Sequence, residues 1–308
     1  MKMNRRRFIA TSLAGAGTVM WGGLTATAAA PMAPDPFTRV PLGKSGLMVS
    51  RIGMGTGVRG SRRQSNLTRM GTEKAVRLLH YAWDAGVRFY DCADSYGTHG
   101  LIREAFRGKP RDAYVICSKL WMSRPEALPD NDALTPKKAL ERFRRELGTD
   151  YVDLVQIHCM TAPGWFDQFR RQADELEELR QQGVIRAHGV SIHSLDALKA
   201  CVGLPWVQVV HARINAYGAN MDDKDPARVA PVLQDLHRAG KGVLGMKLIG
   251  EGKFTKEPAK IDESLKYVLG LGAVDAMLVG FEAEAQIDDF AARLKTAMVA
   301  MPAAAGAV

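Results

Sequence analysis

Cysteine is scarce in this chain of 308 residues. There are 4, at positions 92, 117, 159 and 201, with no CxxC pair and no Cys/His metal spacing. That spacing builds neither a disulfide framework nor a metal site, so no metal is expected and small buried thiols are what it leaves. Acid is missing from the beginning: nothing negative precedes Asp35. A long apolar run is missing too. The uncharged stretch from Phe8 to Pro34 is rich in Gly, Ala and Thr and only weakly hydrophobic, which argues against a stable membrane anchor. Beyond residue 30 there is no Lys/Arg block interleaved with aromatics, which argues against a nucleic-acid partner. The net charge of +9 weakens further as evidence for one, because Lys2, Arg5, Arg6 and Arg7 supply part of it.

What is present at the start is MKMNRRRFIATSLAGAGTVMWGGLTATAAAP, a basic segment, an uncharged stretch and small residues near Ala28 to Ala30. This composition predicts a cleavable export signal over residues 1–30, with a disordered basic terminus as the alternative. NRRRFIA resembles the twin-arginine export motif. That resemblance implies passage of the folded protein through the twin-arginine export machinery, and a periplasmic location.

After Pro36, β-rich runs alternate with amphipathic helical patterns. The runs are SRIGMG (50–55), VRFYD (87–91), AYVICSK (113–119), VDLVQIH (152–158), VIRAHGVS (184–191), WVQVV (206–210), KGVLGM (241–246) and AMLVG (276–280). Between them, 73–86, 136–148 and 167–183 carry apolar residues at helical spacing and end in Gly. The alternation predicts a parallel sheet with helices outside it. Eight such units in a chain of this length fit a closed (β/α)8 barrel over 37–300, followed by a short Ala-rich tail, 301–308. A doubly wound open sheet would want a GxGxxG loop and an acidic residue closing its second strand, and GMGTGVRGS (53–61) offers neither. The segment 38–50 reads as a β-hairpin turning at Lys44-Ser45-Gly46, placed to plug the N-terminal end of the barrel.

In such a barrel the working face is the C-terminal end of the strands. FYDCADSYG places Asp91 at the end of the second run and Tyr96 in its loop; Lys119 closes the third run and His158 the fourth. Any one of these alone reads as a satisfied polar residue. Together they make a proton-donating site. A phenol titrates near about 10 and needs help to act as an acid, which a neighbouring ammonium provides. The ammonium in turn needs a carboxylate to stay charged out of water, and a histidine N–H can orient a substrate oxygen. Tyr96 is then the acid, Lys119 its tuner, Asp91 the partner of the lysine and His158 the orienting donor.

FYDCADSYG, VICSK and YVDLVQIH at these separations resemble the aldo-keto reductase superfamily, over roughly 38–295. The resemblance implies reduction of an aldehyde or ketone, a small-molecule carbonyl substrate, with NADP(H) or NAD(H) as cofactor. It implies cofactor contacts at Gly55, Thr56 and Gly57, at Asp91 and Ser191, at Lys247, and at Gly280, Gln286 and Asp289. Three positions depart from the family pattern. Ile192 stands where an amide-binding Asn is usual, Val209 where an amide-binding Gln falls, and Met246 where an aromatic stacks on the nicotinamide. Glu282, Ala283 and Glu284 replace the basic grip on a 2′-phosphate, with Lys247 and Lys253 as cationic help, so NAD(H) and NADP(H) both stay open.

His80, His188 and His237 read as structural; His99, Trp121 and Trp165 are candidates for lining the substrate pocket. A nicotinamide-nucleotide-binding sensor, or a partner-binding protein, on the same scaffold is the alternative function.

Overall fold

The computed structural model describes residues 34–125 and 134–301. The expected export signal lies outside them, as does all of the tail beyond Met301. Strands β1 (Arg39–Pro41) and β2 (Met48–Ser50) form the antiparallel hairpin, with Arg39 opposite Ser50. Its turn is pressed against the foot of the barrel. A Cβ on Gly43 would meet Gly242 N at 2.3 Å, and the backbone there has φ +51°, so only glycine fits.

Eight further strands follow: β3 (Ile52–Gly55), β4 (Phe89–Asp91), β5 (Val115–Leu120), β6 (Val152–Met160), β7 (Ile185–Ile192), β8 (Val209–Arg213), β9 (Gly242–Met246) and β10 (Ala276–Val279). They close into a parallel barrel in which β10 returns to β3. All eight sequence runs became strands, because each puts apolar residues on both faces, as a barrel strand buried inside and out requires. The helices outside start and stop where the sequence says. Thr72–Ala85 ends on Gly86 in the left-handed region, and Pro136–Leu147 begins on a proline that loses no helical hydrogen bond and ends on left-handed Gly148. The helix expected over 167–183 is instead two pieces, Trp165–Gln168 and Arg170–Gln181. Phe169, buried at the junction, has a non-helical backbone (φ −112°, ψ 25°) that breaks the helix there.

Two cores result. The larger lies between strands and helices. The smaller fills the lower barrel, where Leu42 and Leu47 of the hairpin pack on Phe89, Leu154, Val209 and Leu244. Burying each of those leucines contributes about 2 kcal/mol. Since side chains alternate along a strand, the inward residues of β8 climb from Val209 in this lower layer to His211 and then Arg213 at the rim. Among the described residues no helix is long and apolar enough to cross a membrane.

Candidate active site

The strand ends bring Asp91, Lys119, Tyr96 and His158 together. Asp91 ends β4 beside Gly55 of β3 and Cys117 of β5. Lys119 points inward two residues beyond Cys117 and is only 2% exposed. Its ammonium donates to Asp91 Oδ1, and to Cys92 O at 2.9 Å. Burial works against both charges, yet each partner overcomes it for the other. Lys119 is held above its ordinary range despite burial, chiefly by Asp91. Burial would raise Asp91, but Lys119 and then His211 hold it below the usual carboxylate range. The pair stays charged across the working pH range.

Tyr96 closes a 3₁₀ turn, Asp94–Tyr96, that leaves β4. Its hydroxyl lies 3.4 Å from His158 Nε2, and the Lys119 Nζ sits 5.2 Å from the centre of its ring. Lys119 pulls the phenol down, as expected, but burial outweighs it and Tyr96 stands above its ordinary value. His158 is kept neutral, first by burial and then by Lys119. It can therefore both face Tyr96 and hydrogen-bond an oxygen in the cleft.

The ring of Tyr96 is clamped by backbone. A Cβ on Gly57 would fall 2.2 Å from its Cε2, and one on Gly60 2.5 Å from its Cδ1. Gly57, expected as a cofactor contact, is glycine because Tyr96 lies on it. Beneath the turn is an ion network that inspection of the sequence did not find. Asp94, fully buried, accepts from Arg63 at 2.5 Å and from Arg142 at 2.6 Å. Glu146 accepts from Arg63 at 2.8 Å and from His99 Nδ1 at 2.8 Å, while His99 Nε2 meets Ser118 Oγ at 2.9 Å. Burial would raise Glu146, but His99 and Arg63 bring it down to about 2. His99 is thus a buried member of this network and not a substrate contact. Asp94 was the available signal, an acid in the same short loop as Asp91 and Tyr96.

Trp121 packs against His158, ring centres 5.5 Å apart, beside the tetrad. Trp165 does not: it is buried against Phe166 and Trp206 outside the barrel. His188 stacks on Trp206 at 4.2 Å and meets Glu177, a structural role. His80 pairs with Ala105 O, and His237 lies 3.6 Å from Asp275.

The remaining expected cofactor residues are scattered in their engagement. Gly55 is adjacent to Asp91, and a Cβ there would have only ordinary contacts, the nearest at 3.5 Å, so its bare backbone leaves room beside the tetrad. Thr56 is buried, its hydroxyl between Asp91 O and Thr98 Oγ1. Ser191 Oγ accepts from Cys159 N at 3.0 Å and keeps its own proton to donate. Lys247 sits at the end of β9 paired with Glu251 at 2.9 Å. Gly280 is needed by Val58, which would lie 2.1 Å from a Cβ. Gln286 and Asp289, expected near the adenine and ribose, make local contacts: Gln286 Oε1 accepts from Glu282 N at 2.8 Å, and Asp289 pairs with Arg293 at 2.8 Å.

Two of the three departures read differently in three dimensions. Ile192 is buried in the outer core, its side chain alternating away from Ser191. Val209 lies in the lower layer against the hairpin, below the cleft. The residue on β8 that pairs with Ser191 is His211. Met246 closes β9 partly buried. Ile192 is followed by His193, whose Nδ1 meets the guanidinium of Arg213 and whose Nε2 lies 3.6 Å from Cys159 Sγ. Burial first, and then Arg213, brings His193 down to about 3.

Asp91, Cys117 and His211 each offer a ligand atom, all within 4.8 Å of one another. The set does not suit a metal ion. Lys119 already holds the carboxylate, and burial pushes the Cys117 thiol far up, so a cation would meet an ammonium and no thiolate.

Residues 51–266 match the model of the aldo/keto reductase family. Among curated proteins, an uncharacterized oxidoreductase of Bacillus subtilis is 26% identical over 235 residues, 73% of this chain and 69% of that protein. A D-threo-aldose 1-dehydrogenase of a Pseudomonas species is 31% identical over 185 residues, 51% of this chain and 54% of its own length. The holo form of an aldo-keto reductase from Bacillus halodurans superposes with a TM-score of 0.66 at 21% identity, over 87% of this chain and 93% of that one.

Proposed function

The chain belongs to the aldo/keto reductase family and is an NAD(P)-dependent oxidoreductase; from that premise we propose that it reduces aldehyde or ketone carbonyls with Tyr96 as the proton donor. The observation that carries the reading is the placement of the Tyr96 hydroxyl 3.4 Å from His158 Nε2, above the Lys119–Asp91 ion pair. A carbonyl oxygen between the hydroxyl and the imidazole accepts a hydrogen bond from each. His158 is neutral and donates through Nε2. Tyr96 gives up its proton as negative charge develops on the oxygen, and the ammonium of Lys119 stabilises the phenolate left behind.

The bound nicotinamide supplies the hydride. The open backbone at Gly55 and the free hydroxyl proton of Ser191 suit it, on the rim next to Asp91. Trp121 gives the substrate an apolar wall.

The test is Tyr96→Phe assayed against a panel of aldehydes and ketones, with NADH and NADPH binding followed by fluorescence. Turnover lost with binding kept supports the reading; a Phe variant as active as wild type sinks it. A nucleotide-binding sensor is the second reading. It draws on one observation, that Ile192 is turned away from the cleft and leaves an amide contact unfilled. Binding without turnover on any carbonyl would favour it. Export through the twin-arginine pathway to the periplasm is part of the proposal, on the strength of NRRRFIA. Replacing Arg5 and Arg6 by Lys should leave the precursor in the cytoplasm.

A further inference from the structure

One buried histidine has no part in the mechanism above. His211 lies in β8, 1% exposed, level with Ser191 of β7. Its Nε2 is 3.2 Å from Asp91 Oδ1, the oxygen that also accepts from Lys119. We propose that His211 is a positioning residue for the proton donor: it holds Asp91 from the far wall of the barrel and, through Asp91, fixes Lys119 beneath Tyr96. The inference rests on the carbonyl-reductase reading and adds a fifth residue to its machinery.

The geometry favours a positioning role over simple filling. In the barrel order β4 and β8 are separated by β5, β6 and β7, so the contact crosses the interior. A carboxylate tied only to the flexible side chain of Lys119 can move with it. Donors from two strands fix the carboxylate and therefore the ammonium. The groups facing His211 are Asp91 from β4, Cys117 and Lys119 from β5, His158 from β6 and His193 beyond β7. Burial lowers the pKa of His211, Lys119 lowers it further, and Asp91 opposes both without prevailing.

The ring is therefore neutral near pH 7. Asp91 can only accept, so Nε2 must carry the proton, and Nδ1 then holds the lone pair. Nδ1 has no hydrogen-bond partner among the described residues. Nothing else in the packing asks for an imidazole, whereas the contact with Asp91 does. The same contact spreads the negative charge of Asp91, which otherwise raises the pKa of Tyr96.

The experiment compares His211→Leu with His211→Gln, since a glutamine amide can donate to Asp91 and leucine cannot. The expected result is a loss of about tenfold in kcat for the leucine variant, mostly recovered by glutamine. KM and the NADH or NADPH dissociation constant should stay within about twofold of wild type. Wild-type kcat in the leucine variant, or equal loss in both variants, overturns the proposal. So does a loss that appears wholly in nucleotide affinity, which would place the nucleotide, not Asp91, on the imidazole.

Nitrogen-resolved histidine NMR gives a readout without turnover. The resonance that vanishes in His211→Gln should show a neutral, Nε2-protonated ring with its midpoint below about 6.5, and should move in Asp91→Asn. A charged or Nδ1-protonated ring at pH 7 overturns the proposal even if the enzyme is active. The expected signature in a protein that reduces no carbonyl leaves the contact standing and removes the reaction assigned to it.

Discussion

Arg63 and Asp94 join two loops that leave neighbouring strands. Arg63 Nη1 lies 2.5 Å from Asp94 Oδ1, and Arg63 N donates to Ser95 O at 2.9 Å. The loop after β3 thereby holds the turn that ends in Tyr96. Asp94 is wholly buried, and Arg63 and Arg142 are ion-pair partners of its carboxylate. Replacing Arg63 by Ala leaves Asp94 short of one partner, and the expected cost is about 3 kcal/mol of stability. Because the turn loosens, kcat for carbonyl reduction should fall more than KM rises. Urea unfolding and steady-state kinetics on the same preparation check both.

Gly57→Ala separates the clamp from the fold. The added methyl meets the ring of Tyr96, 2.2 Å from Cε2, and must push it away from His158. The backbone conformation at Gly57 is open to alanine, since its φ is not among the positive ones. The variant should fold with a native circular dichroism spectrum and lose at least about tenfold in kcat. Unchanged turnover would mean that the position of the ring does not limit the reaction.

Leu42→Ala tests the hairpin. Leu42 is fully buried on the lower barrel core, so truncation should cost about 2–5 kcal/mol, read from denaturant midpoints. At low denaturant the variant should keep its kcat, because the tetrad sits at the opposite end of the strands. Parallel loss of kcat and stability would contradict that separation.

Two carboxylates should shape stability against pH in opposite senses. Glu146 is brought down from 4.5 to about 2 by His99 and Arg63 against its burial. Its folded pKa lies below the unfolded one, so its contribution is full above 4.5 and drains away as pH falls toward 2. Glu146→Gln should therefore lower Tm at pH 7 and make the acid limb shallower. Asp222 is the reverse: burial raises it from 3.8 to about 6, and Arg213 recovers only part. The folded state is penalised as pH rises through that window, and fully above 6. Asp222→Asn should raise Tm at pH 7.5 and leave it unchanged at pH 3.5. Melting curves across that range decide both signs.

Much of the barrel was legible because its strands and helices have different periods and because glycine and proline mark the helix ends. Asp91, Lys119 and His158 were legible for a similar reason, each lying at or near the C-terminal end of its strand. The failures share a physical cause. The contact expected at Val209 falls in the lower layer, because a shift of two positions along β8 preserves the inward face and leaves the alternation pattern unbroken. Only the strand register shows that His211, not Val209, lies level with Ser191. His99 follows Tyr96 closely in sequence, yet as the first residue of the helix His99–Ala105 it turns toward Glu146 and Ser118, which come from other elements. Trp165 misled in the same way. Proximity along the chain says nothing of direction, and the network around Asp94 consists almost wholly of long-range partners.

The hairpin gives the barrel a floor. With Leu42 and Leu47 wedged under the strands and Gly43 pressed to Gly242, side chains fill the hairpin end of the barrel. The charged pair at Asp91 and Lys119 lies above that floor, so in the proposed reaction solvent and substrate would reach it from the rim. In that reaction a ligand bound at the rim would cover this end, leaving the protons of Tyr96 and His158 to face the carbonyl oxygen.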